Sequence, residues 1–183
     1  MLESYIRRQG SPMAKLDKLE TTLDDVLNKN APFKVPESGR KSLAHNMWWL
    51  ALVFGVLELW AAWALWHAAH LVDQLVDYTN SLYSAYGVAP VDHNLGPVYY
   101  LAFGMLLVTA VLALLAAPHL KAMKKAGWNL MFYSILINVV YAVVVLFADY
   151  GGFGNMLAAL VGSVVGAYLL FQVRDQFMKN HKS

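Results

Sequence analysis

The stretch that decides the fold is FGVLELWAAWALWHAAH, which runs from Phe54 to His70. It is apolar almost throughout, and its neighbours extend the apolar run from Met47 to about Leu71. A helix needs about 20 apolar residues to cross the hydrocarbon core of a bilayer. We therefore expect this segment to be a membrane-spanning helix that carries one acid, Glu58, within it.

Three further segments have the length and composition of membrane helices, namely residues 98–117, 128–147 and 153–173. Of the 183 residues, 58% are hydrophobic and only 14% are charged, a balance unlike that of soluble domains. The strands of a membrane barrel would be about half as long and would alternate in polarity. The sequence therefore predicts an all-α protein, an integral membrane four-helix bundle over residues 46–178.

The basic residues predict the orientation of this bundle. All 14 Lys and Arg residues lie in residues 7–41, 121–125 and 174–182. The connections 73–97 and 148–152 carry none, and instead contain Asp73, Asp77, Asp92 and Asp149. Because basic connections stay on the cytoplasmic side, we expect both termini in the cytoplasm. Topology and anionic lipid headgroups account for the basic residues, so we expect no nucleic-acid partner.

Residues 1–45 form a separate predicted unit that precedes the bundle, and residues 179–183 form a short cytoplasmic tail. Leucine and valine recur at helical spacing in the first unit, at Leu16, Leu19, Leu23, Val26 and Leu27. This spacing predicts an amphipathic helix, which ends before the prolines at 32 and 36. The helix would lie on the inner membrane surface, pack under the bundle or bind a cytosolic partner, and the sequence leaves these alternatives open.

Each predicted membrane helix has one polar side chain near the middle of the bilayer. At about 1.5 Å per residue, Glu58 and Asn138 lie about 15 Å from the cytoplasmic ends of their helices. Thr109 and Ser163 reach the same depth from the outer ends. We consider two interpretations of this layer: a structural clasp in which neutral Glu58 donates a hydrogen bond to Asn138 or Thr109, and a proton-coupled transport site.

Histidines suggest two further sites. His67 and His70 share a helix face, and with Asp73 and His93 they have the donor types of a divalent metal site. His45 and His119 lie at the cytoplasmic ends of two predicted helices, where they would ligate a haem or a chlorophyll-type pigment. In each case the alternative is a set of interfacial histidines that bind nothing, and no cofactor is the favoured expectation.

Residues 162–166 contain a small-xxx-small pattern with Gly162 and Gly166 at its ends, which is typical of closely packed membrane helices. The pattern would either seat the fourth helix in its bundle or form a homodimer. Tyr99, Tyr100, Trp128 and Tyr150 lie where an interfacial aromatic belt is expected.

The stretches KKAGWNLMFYSILINVVY (124–141) and GAYLLFQVRDQF (166–177) resemble segments of small uncharacterised four-helix membrane proteins of bacteria. The resemblance implies a bacterial inner-membrane location and the four-helix topology, but no activity and no site residues.

The sequence has no combination of residues typical of an enzyme, and we expect no enzymatic activity. The favoured function is a structural or accessory subunit that packs with other membrane proteins or with further copies of itself. A small proton-coupled transporter or channel that uses Glu58 is the alternative, and a cofactor-binding subunit is the third.

Overall fold

The computed structural model describes residues 12–31, 33–91, 96–146 and 153–179, and these residues form helices and short connections without a strand. Helix α1 spans Pro12–Asp24 and continues into a π-helical turn, Asp25–Lys29. The remaining helices are α2 (Glu37–Ala85), α3 (Pro97–Lys121), α4 (Lys125–Leu146), α5 (Phe153–Gln172) and α6 (Arg174–Lys179). The predicted all-helical architecture is thus confirmed for the described residues.

Three of these helices are long and apolar enough to cross a membrane: α2, α3 and the part of α4 over Lys125–Val144. Helix α5 coincides closely with the predicted span 153–173, and its described side chains form a shorter apolar segment, Leu160–Gln172. Its role as a fourth membrane span remains a prediction.

Helix α2 is much longer than the predicted span 47–71, because it contains 49 residues. The prediction of a 25-residue connection after Asp73 was therefore wrong, since the helix continues through Ala85. No glycine or proline interrupts the chain between Gly55 and Gly87, and exposed carboxylates do not end a helix. Gly87 follows the helix with a φ of 71°, a left-handed conformation that glycine adopts without strain.

Pro118 lies inside α3, which continues to Lys121, four residues beyond the predicted span 98–117. Proline lacks a backbone N–H, so it removes one hydrogen bond from the helix. Its own carbonyl accepts a bond from Ala122 N at 3.1 Å, which carries the helix through its last turn. A tight connection follows, in which Met123 has a φ of 51°.

The membrane-length helices pack in chain order, α2 on α3, α3 on α4 and α4 on α5. Small residues make the α2–α3 crossing close: a Cβ on Gly55 would lie 2.8 Å from Leu114 Cγ and 3.3 Å from the Ala110 carbonyl oxygen. The alanines buried beside this crossing are Ala51, Ala62, Ala110, Ala113 and Ala117. Among the described residues, α2 and α5 are not an extensively packed pair, and we call the space between them the α2–α5 gap.

The aromatic core lies at the end of the molecule where α3 meets α4 and α5 meets α6. Trp128 is completely buried, stacks on Phe132 with ring centroids 5.4 Å apart and meets Phe171 edge-on at 5.3 Å. Its indole N–H donates to the Leu170 carbonyl oxygen at 2.9 Å. The expectation that Trp128 belongs to an interfacial aromatic belt was therefore wrong, because its ring fills the core and its polar edge has a protein partner.

Helix α1 docks on this same end, with a face that differs from the predicted leucine stripe. Leu23 and Leu27 pack against the core, whereas Leu19 and Val26 are exposed. Polar residues at a spacing of four occupy the rest of the docked face: Glu20, Asp24 and Asn28. The docked face of α1 therefore differs from the predicted leucine stripe, because the side chains of Glu20 and Asp24 point inward to Arg174.

The contacts of Arg174 and Gln172 tie residues near the N-terminus to the end of α5. The guanidinium group of Arg174 lies 2.5 Å from Glu20 Oε1 and 3.5 Å from Asp24 Oδ2, and it lies over the Trp128 ring. Gln172 is buried, accepts a hydrogen bond from Val35 N at 3.2 Å and donates one to the Leu27 carbonyl at 2.9 Å. Glu20, Leu27 and Val35 are thus in contact with the end of α5 and the first residue of α6.

Candidate functional site

The α2–α5 gap contains a cavity of about 360 Å³. One stripe of α2 lines it, with Leu43, Met47, Leu50, Phe54 and Glu58 at successive turns. Residues of α4 and α5 form the other walls, and Ala113 contributes from α3. The cavity is apolar over most of its length, so the few polar side chains in its wall decide its chemistry.

Three of the four predicted midplane residues line this cavity: Glu58 from α2, Asn138 from α4 and Ser163 from α5. Glu58 and Asn138 are the last lining residues of α2 and α4, whereas Ser163 is near the first lining residue of α5. Because α2 and α4 run in one direction and α5 in the other, the three residues lie towards the same end of the cavity. The fourth residue, Thr109, is buried on α3 and does not line the cavity. The structure thus brings Glu58, Asn138 and Ser163 to one cavity, while the role of the four residues as clasp or proton site remains a prediction.

The Thr109 hydroxyl is bonded within its own helix. It lies 2.9 Å from the Met105 carbonyl oxygen and 3.3 Å from the Leu106 carbonyl oxygen. Since a hydroxyl has only one hydrogen, that hydrogen is committed to the α3 backbone.

Two acceptor atoms of the residues that line the cavity have no donor among the described residues. Glu58 Oε2 is buried and has no hydrogen-bond partner among the described residues. The Asn138 amide nitrogen donates to the Ser134 carbonyl oxygen at 3.1 Å, which leaves its carbonyl oxygen as the uncommitted part of the amide. A buried acceptor without a donor is costly, so this end of the cavity favours a group that donates hydrogen bonds.

The small-xxx-small residues also line the cavity. A Cβ placed on Gly162 would have nothing within 4 Å among the described residues, and one on Gly166 would lie 3.8 Å from Ile135 Cδ1. These glycines therefore widen the α2–α5 gap in this structure. Their predicted role in seating the helix or in forming a homodimer is not tested by these contacts.

The histidines predicted to bind metal are placed beside tryptophans. His67 lies on Trp63 with ring centroids 4.5 Å apart, and His70 lies on Trp66 at 4.7 Å. His70 Nδ1 is 3.1 Å from the Trp66 carbonyl oxygen. Within the described ranges, which include Asp73, no group of three or more histidine or carboxylate residues is arranged to hold a metal ion. His93 lies outside the described residues.

The two histidines predicted as cofactor ligands have different surroundings. His45 is exposed near the start of α2, and His119 is partly buried with Nδ1 3.0 Å from the Leu115 carbonyl oxygen. A ring nitrogen bonded in this way fixes the tautomer that the other nitrogen presents. Their role as haem or pigment ligands remains a prediction.

A second candidate surface lies on the part of α2 beyond the predicted span. Leu71, Leu75, Tyr78 and Leu82 recur at spacings of four, three and four, which is the a/d spacing of a coiled coil. All four are exposed, Leu75 and Tyr78 by 65% each. We call these four residues the α2 ridge. Asp73 and Asp77 lie on the opposite side of the helix, and Asn80 is bonded there to Val91 of the following connection.

Sequence reasoning missed the α2 ridge because it ended the helix at about Leu71 and placed the other three residues in a loop, although their spacing was readable as a heptad pattern. It also missed the apolar lining of the cavity, which no polar motif marks. Comparisons of the chain with protein-family models, curated proteins and solved structures find no match. The resemblance over residues 124–141 and 166–177 therefore remains a prediction.

Proposed function

We propose that the chain is a multi-pass protein of the bacterial inner membrane that packs, through the α2 ridge, against a helix of another membrane subunit or of a second copy of itself. The observation that carries this proposal is an exposed apolar stripe at heptad spacing on a helix that continues about 20 Å beyond the predicted span. Soluble surfaces rarely expose such a stripe without a partner.

The membrane arrangement that we propose has four spans, α2 to α5, with both termini in the cytoplasm. Its support is the basic connection between α3 and α4, and the absence of Lys and Arg from residues 73–97 and 148–152. In this arrangement the docked α1 and the aromatic core lie at the cytoplasmic end. The α2 ridge projects from the outer face, where lipid cannot cover it.

The topology is testable because the chain has no cysteine. Ser84→Cys and Ala122→Cys introduce the same thiol at two exposed positions, one on the α2 extension and one in the basic connection. In intact cells we expect a membrane-impermeant maleimide to label only the first, and permeabilised cells to show labelling of both. Labelling of both positions, or of Ala122→Cys alone, before permeabilisation would contradict the topology.

Packing with another subunit is testable by native mass spectrometry of the protein extracted in mild detergent. We expect bound polypeptide mass in addition to the 20.4 kDa chain. Leu75→Asp should release it, because a carboxylate in an apolar helix interface is costly. Asp77→Asn, on the opposite side of the same turn, is the matched control and should retain it. A bare monomer for the unmodified protein would refute the proposal.

A further inference from the structure

The cavity in the α2–α5 gap is a compartment with two chemically different ends. Its apolar wall follows α2 from Leu43 to Phe54 and ends at Glu58, a distance of about 22 Å along the helix. On α4 the lining ends at Asn138, and on α5 it begins with Gly162 and Ser163. The carboxyl, amide and hydroxyl groups therefore come from three helices to one end of an otherwise apolar space.

The volume of the cavity restricts what fits in it. Its volume of about 360 Å³ lies within the roughly 300–1,000 Å³ typical of small-molecule sites, which are also mostly apolar with a few convergent polar groups.

The polar end determines the chemistry of the head group. Glu58 Oε2 is a buried acceptor without a donor, and the nitrogen of the Asn138 amide is already committed to Ser134. Among the described residues of the cavity wall, Glu58 is the only one whose side chain can carry a charge. A cationic donor satisfies the acceptors and balances that charge at the same time, which a hydroxyl group does not do.

From these observations we infer that the α2–α5 gap is a binding site for a small amphipathic amine, with its ammonium group at Glu58 and Asn138 and its apolar body along the α2 stripe. This site is separate from the α2 ridge, which lies beyond the predicted span on the same helix. The inference adds a small-molecule ligand to a protein for which we propose a packing role, and it does not depend on that role.

The test uses two matched fluorescent probes and the protein in nanodiscs of zwitterionic lipid. The first probe is a dansyl group joined by an octyl chain to a primary amine, and the second is the same compound with its amine acetylated. Binding is followed by fluorescence polarisation, and the signal of protein-free nanodiscs is subtracted. We expect the amine to bind about tenfold or more tightly than the acetylated probe, because a charge-assisted bond is lost in the second.

Two variants separate the head-group contact from the apolar body. Glu58→Gln should weaken the amine about tenfold or more and remove the preference for it over the acetylated probe. Gly162→Leu fills the cavity without altering Glu58 and should block both probes. The matched control is Gly104→Leu, since a Cβ at Gly104 also meets nothing within 4 Å among the described residues and Gly104 does not line the cavity. This control should bind like the unmodified protein.

Several results would overturn the inference. Equal binding of the two probes, or binding that survives in Gly162→Leu, would mean that the probes partition into lipid rather than enter the gap. No binding to the unmodified protein would mean that the cavity holds water only. If Glu58→Gln does not fold, as judged by circular dichroism, the comparison of Gly162→Leu with Gly104→Leu decides alone.

Discussion

Among the glycines of the described residues, Gly127 leaves the least room for a Cβ, and replacing it with alanine provides a direct test of the α3–α4 connection. A Cβ at this position would lie 2.6 Å from Leu120 N and 2.9 Å from His119 C. Both are backbone atoms, so no side-chain rotation relieves the clash. An ordinary contact begins near 3.4 Å, and the start of α4 would therefore have to move by about 0.8 Å.

This shift is costly because Trp128 follows directly and is anchored by its bond to the Leu170 carbonyl. Overpacking costs about 1–3 kcal/mol, and alanine regains about 0.5–1 kcal/mol of helix propensity. We expect Gly127→Ala to lower the free energy of unfolding by about 2 kcal/mol. Gly104→Ala has open space around its Cβ and should raise it by up to about 1 kcal/mol.

The assay is unfolding by titration with sodium dodecyl sulfate in mild detergent, followed by circular dichroism, with both variants and the unmodified protein side by side. Tryptophan fluorescence gives a second readout near the perturbed site. If Gly127→Ala is as stable as Gly104→Ala, the close approach of α3 and α4 is refuted. If both are destabilised equally, helix propensity and packing at these sites have been misjudged.

Three further predictions concern the docked N-terminal segment. Arg174→Gln leaves the Glu20 carboxylate without its partner, and because the pair is only partly buried we expect the free energy of unfolding to fall by about 2 kcal/mol. Part of this loss should be recovered in the double variant Glu20→Gln/Arg174→Gln. Full additivity of the two substitutions would contradict the pairing. Gln172→Leu removes a donor and an acceptor at once and should accelerate amide exchange at residue 35 by about tenfold or more, whereas unchanged exchange would exclude that bond. The hydrogen bond from Lys29 to the Asp25 carboxylate raises the pKa of Lys29 above its ordinary 10.5, so this pair stabilises the turn below pH 10.5 and the effect is lost as pH rises through the raised value. Asp25→Asn should bring the Lys29 pKa back towards 10.5 in an NMR titration of Nζ, and an unchanged value would contradict the contact.

The positions of α3, α4 and α5 were predictable from sequence because each is a run of about 20 apolar residues flanked by turns or charges. The length of α2 was not predictable in the same way, since the rule for membrane spans locates only the end of the apolar run. The helix itself continues until a helix-breaking residue, Gly87, follows it. The same rule placed the α2 ridge in a loop.

The level of Glu58, Asn138 and Ser163 along their helices was also predictable, because a helix rises by a fixed distance per residue, while their depth in a bilayer remains a prediction. The lateral grouping of Glu58, Asn138 and Ser163 around one cavity was not predictable, since it depends on how each helix is rotated and on which pairs pack closely. The contacts of Arg174 and Gln172 depend on residues more than 130 positions away. No local pattern reports such partners, and Arg174 was explained by topology alone.

The most direct test of the proposed packing role is photo-crosslinking in the protein's own membrane. A benzophenone amino acid is placed at Tyr78, in the α2 ridge, and in a parallel variant at Asp77, which is outside the ridge and about 100° from Tyr78 around the helix. We predict a crosslink from position 78 to one defined peptide, either of another membrane protein or of this chain, and its loss when Leu75→Asp is added. Crosslinks to lipid alone from position 78, or the same polypeptide adducts from both positions, would contradict the proposal that this ridge is a helix-packing surface.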